Sequence, residues 1–265
     1  MDRISGVVFY EGKSLIDGKP IVGIATFNTD NAKTGNLVQT WILLRDEHPL
    51  DAINTGADSS ICGDCPLRGL IRPASERTKP NASPLPTTNK GRSCYVLVHT
   101  APTQVWKSYK KGNYPKLCDE HANHMLGKGL RYGSYGDPVA IPMKAWKELS
   151  KHCTGRAEPG YTHQWKKNKF KSWRTHIMAS THTVADNAVA SAAGWRTFRT
   201  VADVSDIQSN EIICPASAEG GDKATCATCG ACNGRHSMED MRKSIIIVAH
   251  GHGKVGLVKE VIAGI

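Results

Sequence analysis

The chain has 265 residues, 40% of them apolar, and a formal charge of +10, so it can build one sizeable core and is expected to meet an anionic partner, DNA or RNA first. It contains no apolar run of about 18 residues, which excludes a helical membrane span. The opening "MDRISGVVFYEG" lacks the charged-then-apolar layout of a signal peptide, so the expected setting is cytoplasmic, in a host cytoplasm if the chain is phage-encoded. In such a reducing compartment the nine cysteines are expected as metal ligands or free thiols, not as disulfides.

In chain order, "GVVFYEG", "PIVGIATF" and "LVQTWILL" read as strands separated by Gly, Asp and Asn turn signals. Residues 66–91, "PLRGLIRPASERTKPNASPLPTTNKG", are Pro-rich, polar and basic, and read as a long loop. "CYVLVHT" is a short apolar run taken as the first strand of a barrel, with helical stretches over 103–111 and 117–127. Next come strand "LRYGSYGD", amphipathic helix "IPMKAWKELSKH", strands "GYTHQW" and "HIMASTH", and helix "TVADNAVASAAG" closed by Gly194. "WRTFRTVAD" and "SIIIVAHGH" complete the strands, and "KVGLVKEVIAG" is the closing helix. Strand alternating with helix predicts an α/β fold: a complete or partial (β/α) barrel over residues 56–265, a β-rich N-terminal segment over 1–55, and cysteine-rich metal loops, all in one compact unit.

Polar residues recur at the ends of the strand runs: Asp137, His163, His182, Arg199, His250 and His252. In a barrel these ends converge on one mouth where chemistry is done, and Asp137 and His163 are the candidate catalytic pair. "WKKNKFKSWR", residues 165–174, sets Lys166, Lys167, Lys169, Lys171 and Arg174 among Trp165, Phe170 and Trp173. Two readings stand side by side: a nucleic-acid strip with phosphates on the cations and bases on the rings, or a solvated helix whose rings face the core.

The cysteines carry the sharpest signal. "CATCGAC" places Cys226, Cys229 and Cys232 three apart, and Cys214 is followed by Pro215. One loop with that spacing wraps three corners of a 4Fe-4S cubane, and a Cys-Pro elsewhere supplies the fourth thiolate. Zinc is the competing ion, with Cys214 or His236 completing a tetrahedral site. Cys62 and Cys65 form a second knuckle, and Cys94 follows across the Pro-rich loop. Three thiolates on a cubane leave one iron open to a small ligand, unless Cys118 or His121 closes the site. Cys118 and Cys153, alone on helical stretches, also read as small core residues.

"CYVLV…VWKSYKKGNYP", "RYGSYGDP", "GYTHQW" and "CPAS…CATCGAC" before "IIIVAHG" resemble a group of uncharacterised phage-encoded cysteine-rich proteins over about residues 56–252, distantly similar to radical S-adenosylmethionine (SAM) proteins. The resemblance implies a cluster on Cys62, Cys65 and Cys94 at the barrel mouth, and Gly136 and Asp137 where SAM presents its amino group. It also implies an auxiliary cluster on Cys214, Cys226, Cys229 and Cys232. The chain departs from the radical SAM spacing C-x3-C-x2-C, having C-x2-C and a distant third cysteine. Two functions follow as expectations: an iron–sulfur enzyme of radical SAM or redox type acting on nucleic acid or nucleotides, and a nucleic-acid-binding protein with a structural zinc or iron–sulfur site and no turnover.

Overall fold

In the computed structural model of the chain the described residues are 4–29, 31–69, 92–237, 239–251 and 254–262. Three N-terminal strands form where expected: β1 (Gly6–Lys13), β2 (Pro20–Thr26) and β3 (Leu37–Leu44). β3 is buried along nearly its whole length, the polar Gln39 and Thr40 included, which suits its place between two neighbours. Helices α1 (Pro49–Thr55), α2 (Ser59–Cys62) and α3 (Ala101–Lys110) precede β4 (Gly129–Tyr135). α4 (Met143–Ser150) buries Trp146 and Leu149, three apart on one helical face. Then follow β5 (Tyr161–Thr162), β6 (Met178–Thr181), α5 (Val184–Ala192), β7 (Thr197–Val201), β8 (Glu211–Ile213), α6 (Cys226–Cys229), β9 (Ser244–Val248) and α7 (Lys254–Gly256), which runs into a π turn.

The strands make two sheets. One has the order β1-β2-β3-β4, antiparallel except for the parallel β3–β4 pair; the other is parallel with the order β5-β6-β7-β9-β8. A seam joins them: Leu130 N–H donates to Ala157 O at 3.0 Å, Tyr132 N–H to Pro159 O at 2.9 Å, and Tyr132 bridges Gly160 in parallel. Gly160 permits this approach, since a methyl there would collide with Ile177 and Tyr132. The chain is therefore a mixed α/β protein whose N-terminal strands continue into the rest through β3–β4. Among the described residues no pairing joins the outer strands β1 and β8 into a closed ring.

Trp146, fully buried, centres the main core: its ring lies 4.8 Å from those of Phe9 and Tyr132 and 6.5 Å from that of Trp173. The opposite face of β6, β7 and β9 supplies Met178, Phe198, Ile245 and Ile247 to a smaller cluster with Cys214, Cys226 and Cys232. No described helix is long and apolar enough to cross a membrane.

Several expectations need correction. Residues 94–100 are turns, not a strand: Tyr95 and Leu97 face solvent, and the N–H groups of Ser93 and Cys94 both donate to Leu67 O. Over 117–127 the helical part is a 3₁₀ segment, Asp119–His124, because the His121 ring accepts the Cys118 N–H and tightens the first turn. The 165–174 stretch is likewise 3₁₀. Arg199 sits inside β7, not past its end. Of the Pro-rich loop, residues 70–91 lie outside the described residues, as does His252.

Candidate metal centres

The terminal cysteines are gathered by backbone bonds. Cys214 leaves β8 with its N–H on Ile246 O at 2.8 Å. α6 is a single turn whose ends are both fixed: Thr225 and Thr228 cap it reciprocally, and Gly230 (φ 62°) ends it in the left-handed region. The N–H groups of Cys226 and Ala227 donate to Lys33 O and Thr34 O, each at 3.0 Å, which pins the loop to the segment before β3. As a result Cys214, Cys226, Cys229 and Cys232 line one small pocket, partly open to solvent, with Pro159, Pro215 and Ala216 among the other walls. Burial pushes the Cys232 thiol up to about 12, against a hydrogen bond from the Tyr161 hydroxyl. Burial also raises Cys214 and Cys226, while the charges of Lys33 and Arg131 oppose the shift at Cys226.

The second group forms around Asp58, which is 1% exposed. Arg68 grips one carboxylate oxygen at 2.6 Å and Arg92 the other at 3.2 Å. These two arginines bracket the Pro-rich loop, so both of its ends are tied to one buried carboxylate, and Cys94 is brought beside Cys62 and Cys65. Burial holds the Cys62 and Cys65 thiols well above their ordinary range, and the neighbouring Cys94 adds to both shifts.

This group lies where parallel strands end. Cys65 Sγ is 3.9 Å from His163 Nε2, just past β5, and that nitrogen is 3.0 Å from Nε2 of His182, just past β6. The two rings stack at 5.2 Å and 16°. Burial lowers both imidazoles, His163 to about 3 and His182 to about 4, so both are neutral and one donates to the other. Asp137, just past β4, accepts from Val139 N–H, the Thr162 hydroxyl and His163 N–H at 3.2, 2.9 and 3.0 Å. Burial raises its carboxyl to about 7, partly offset by those three bonds. Gly136 has φ 86°, and a methyl there would collide with Ile42, which by itself requires a glycine.

Buried polar atoms without a partner concentrate here. Ser93 Oγ, Tyr135 OH, Gln164 Oε1, Thr181 Oγ1 and His182 Nδ1 are five of the six found among the described residues. All five belong to residues at or next to this group: Ser93 precedes Cys94, Tyr135 faces Cys62 and Cys94, the Gln164 amide bonds to Cys62 O, and Thr181 precedes His182. Such atoms are costly unless something supplies their bonds.

Nothing among known protein families, curated proteins or solved structures matches this chain.

Other sequence-named residues fall elsewhere. Trp165, Phe170 and Trp173 are all buried, so the 165–174 rings face the core and are not stacking platforms. Lys166 pairs with Asp186 at 2.8 Å, Lys167 with Asp64 at 2.7 Å, and Lys169 donates to Leu15 O at 2.8 Å. Arg174 reaches Ala193 O at 3.3 Å, and Lys171 is exposed. Arg199 pairs with the buried Glu211 at 2.6 Å, a structural bond between β7 and β8. Cys118 and His121 pair with each other, Sγ to Nδ1 3.3 Å; Cys118 is exposed, whereas Cys153 is a buried core thiol. His236 is exposed and donates its backbone N–H to Asp240. The Asp58 hub, Tyr161 and Arg131 had no sequence signal, since each acts through partners brought in by the fold.

Proposed function

We propose that this is an iron–sulfur protein with two cluster sites, one on Cys214, Cys226, Cys229 and Cys232 and one on Cys62, Cys65 and Cys94. The observation that carries the reading is the cavity lined by all four terminal thiols. The donor set is sulfur alone, which suits iron–sulfur or zinc over harder cations. The spacing C-x2-C-x2-C with a separate Cys-Pro favours the cluster over zinc; among the described residues no three His, Cys, Asp or Glu side chains lie close enough together to hold a single metal ion. A group with several metal atoms needs its thiolates spread round a wall. Lys33 stands ready to offset the charge of thiolates bound to metal.

The site on Cys62, Cys65 and Cys94 is the catalytic one in this reading, of radical SAM or redox type, acting on a nucleotide or nucleic acid. The parallel strands β3 to β7 and β9, taken as a partial barrel, would open on it at their C-terminal ends. When bound, a cluster there supplies electron transfer. The chain's own residues do the rest. His163, fixed by its N–H on Asp137, presents its ring to Cys65 and His182. The unpartnered Tyr135, Gln164, Thr181 and His182 atoms offer bonds to a ligand, and the Asp58 hub keeps the cysteine loop over the strand ends. The likeness to phage proteins and to the radical SAM group is part of this proposal.

Reduced protein, handled without oxygen, incubated with SAM tests the catalytic half. Release of methionine and 5′-deoxyadenosine supports the radical SAM form. Intact SAM alongside a reversibly reducible cluster leaves the redox form; absence of any reducible cluster rules out both.

A further inference from the structure

We infer that Arg131 and Tyr95 form a binding site for the anionic group, phosphate or carboxylate, of a small substrate, on the sheet face between the two cysteine groups. This deepens the function proposed above and rests on it for the identity of the neighbouring sites.

Arg131 stands in β4 and is half-buried. Its guanidinium reaches only neutral groups: Nη1 is 3.4 Å from Gln39 Oε1, and Nη2 is 3.1 Å from the Tyr95 hydroxyl. Every other described arginine that is at least half-buried donates to a carboxylate or a backbone carbonyl. Arg45, Arg68, Arg92, Arg199 and Arg242 have acids, while Arg174, Arg196 and Arg235 have carbonyls. The Nη2 end of this guanidinium lies at the surface beside the exposed Tyr95 hydroxyl, with no carboxylate among the described residues to hold it, and its planar fork matches the two oxygens of a phosphate or carboxylate.

Its position makes it a substrate contact. Tyr95 follows Cys94 of one cysteine group, and Arg131 is the strongest charge acting on Cys226 of the other. The Tyr95 ring also lies 6.1 Å from that of His250, just past β9. Tyr95 therefore lies over the sheet face, touching residues from β4 on one side and from beyond β9 on the other. His250 is exposed, and its Nδ1–H donates to Val248 O at 2.9 Å, which leaves Nε2 as the acceptor nitrogen. An anion on Arg131 would sit between the two thiol groups with aromatic rings beside it.

The test is equilibrium dialysis of anaerobically purified, metal-loaded protein against inorganic phosphate and, separately, citrate, with metal content measured in every sample. Binding of at least one probe is expected, weakened tenfold or more by Arg131→Gln and severalfold by Tyr95→Phe, which removes only an exposed hydroxyl. Replacing the exposed Arg156 with Gln should change nothing. The stronger probe identifies the anion's chemistry. Wild-type protein that binds neither probe, or Arg131→Gln and Tyr95→Phe variants that bind as wild type does, would overturn the inference. Metal content decides the cluster reading separately, because loss of anion binding at full metal loading leaves it intact.

Discussion

Cys65 Sγ lies 3.9 Å from His163 Nε2, across 98 positions of sequence. That contact sets the cysteine loop against the ends of β5 and β6, and it depends on Asp58 holding Arg68 and Arg92. Asp58→Asn should therefore release Cys94 from Cys62 and Cys65 while leaving the terminal group intact. Iron content should fall by about half, as loss of one of two four-iron clusters implies. Full loading in that variant would detach the hub from the site.

Cys229→Ser removes one wall of the terminal cavity. A metal group that staples a loop contributes folding energy, so both iron content and melting temperature should fall. A loss of roughly 2 kcal/mol would lower the melting temperature by about 4–8 °C for a chain of this size. Unchanged iron would move the ligand assignment elsewhere.

Arg199 and Glu211 form a pair whose side chains are only 3% and 0% exposed. Glu211 also accepts from Asn187 and from Gln208 N–H. Arg199→Met should cost about 3–5 kcal/mol, because a buried carboxylate is left without its cation. Replacing both partners with apolar residues should recover part of that loss in denaturant unfolding. A double variant no better than the single one would show that the neutral partners alone hold Glu211.

Trp165 donates its indole N–H to Ser180 O at 3.0 Å and is 6% exposed. Trp165→Ala should behave as a core deletion, costing about 3–5 kcal/mol, and should not act as the loss of a base-stacking contact. If the variant keeps its stability but loses affinity for single-stranded RNA, the strip binds after all.

Asp240 is held well below the value near 3.8 of an ordinary aspartate, chiefly by the side chain of Arg242, with help from the N–H groups of His236 and Arg242. Because the folded value lies below the unfolded one, this carboxylate's contribution is present above about pH 4 and is lost as pH falls further. Asp240→Asn should flatten the acid side of the stability profile and leave the neutral side parallel to wild type. An identical acid slope would place the sensitive group elsewhere.

How far the sequence reveals this molecule depends on the range of the interaction. β1 to β3 and α4 are legible because β-rich segments bounded by Gly, Asp and Asn turns, and three-apart apolar spacing, are local signals, each read within one element. Cys62 with Cys65, and Cys226 with Cys229 and Cys232, are legible as groups because their members stand three apart in the sequence. "CYVLVHT" is misleading: its apolar run matches a strand, but no neighbour offers it a ladder, and Tyr95 and Leu97 turn outward. β8 is too short to show a pattern. The Asp58 hub cannot be read at all, because its arginines lie 10 and 34 positions away and only folding brings them in. The rings of 165–174 satisfy a stacking pattern and a core pattern equally, and burial decides for the core.

The most direct test of the account is iron and acid-labile sulfide per chain in protein purified without oxygen. Two cluster sites require roughly eight of each, and the Cys229→Ser and Asp58→Asn variants should each retain about four. Zinc without sulfide, or neither metal at any loading, would contradict the iron–sulfur reading.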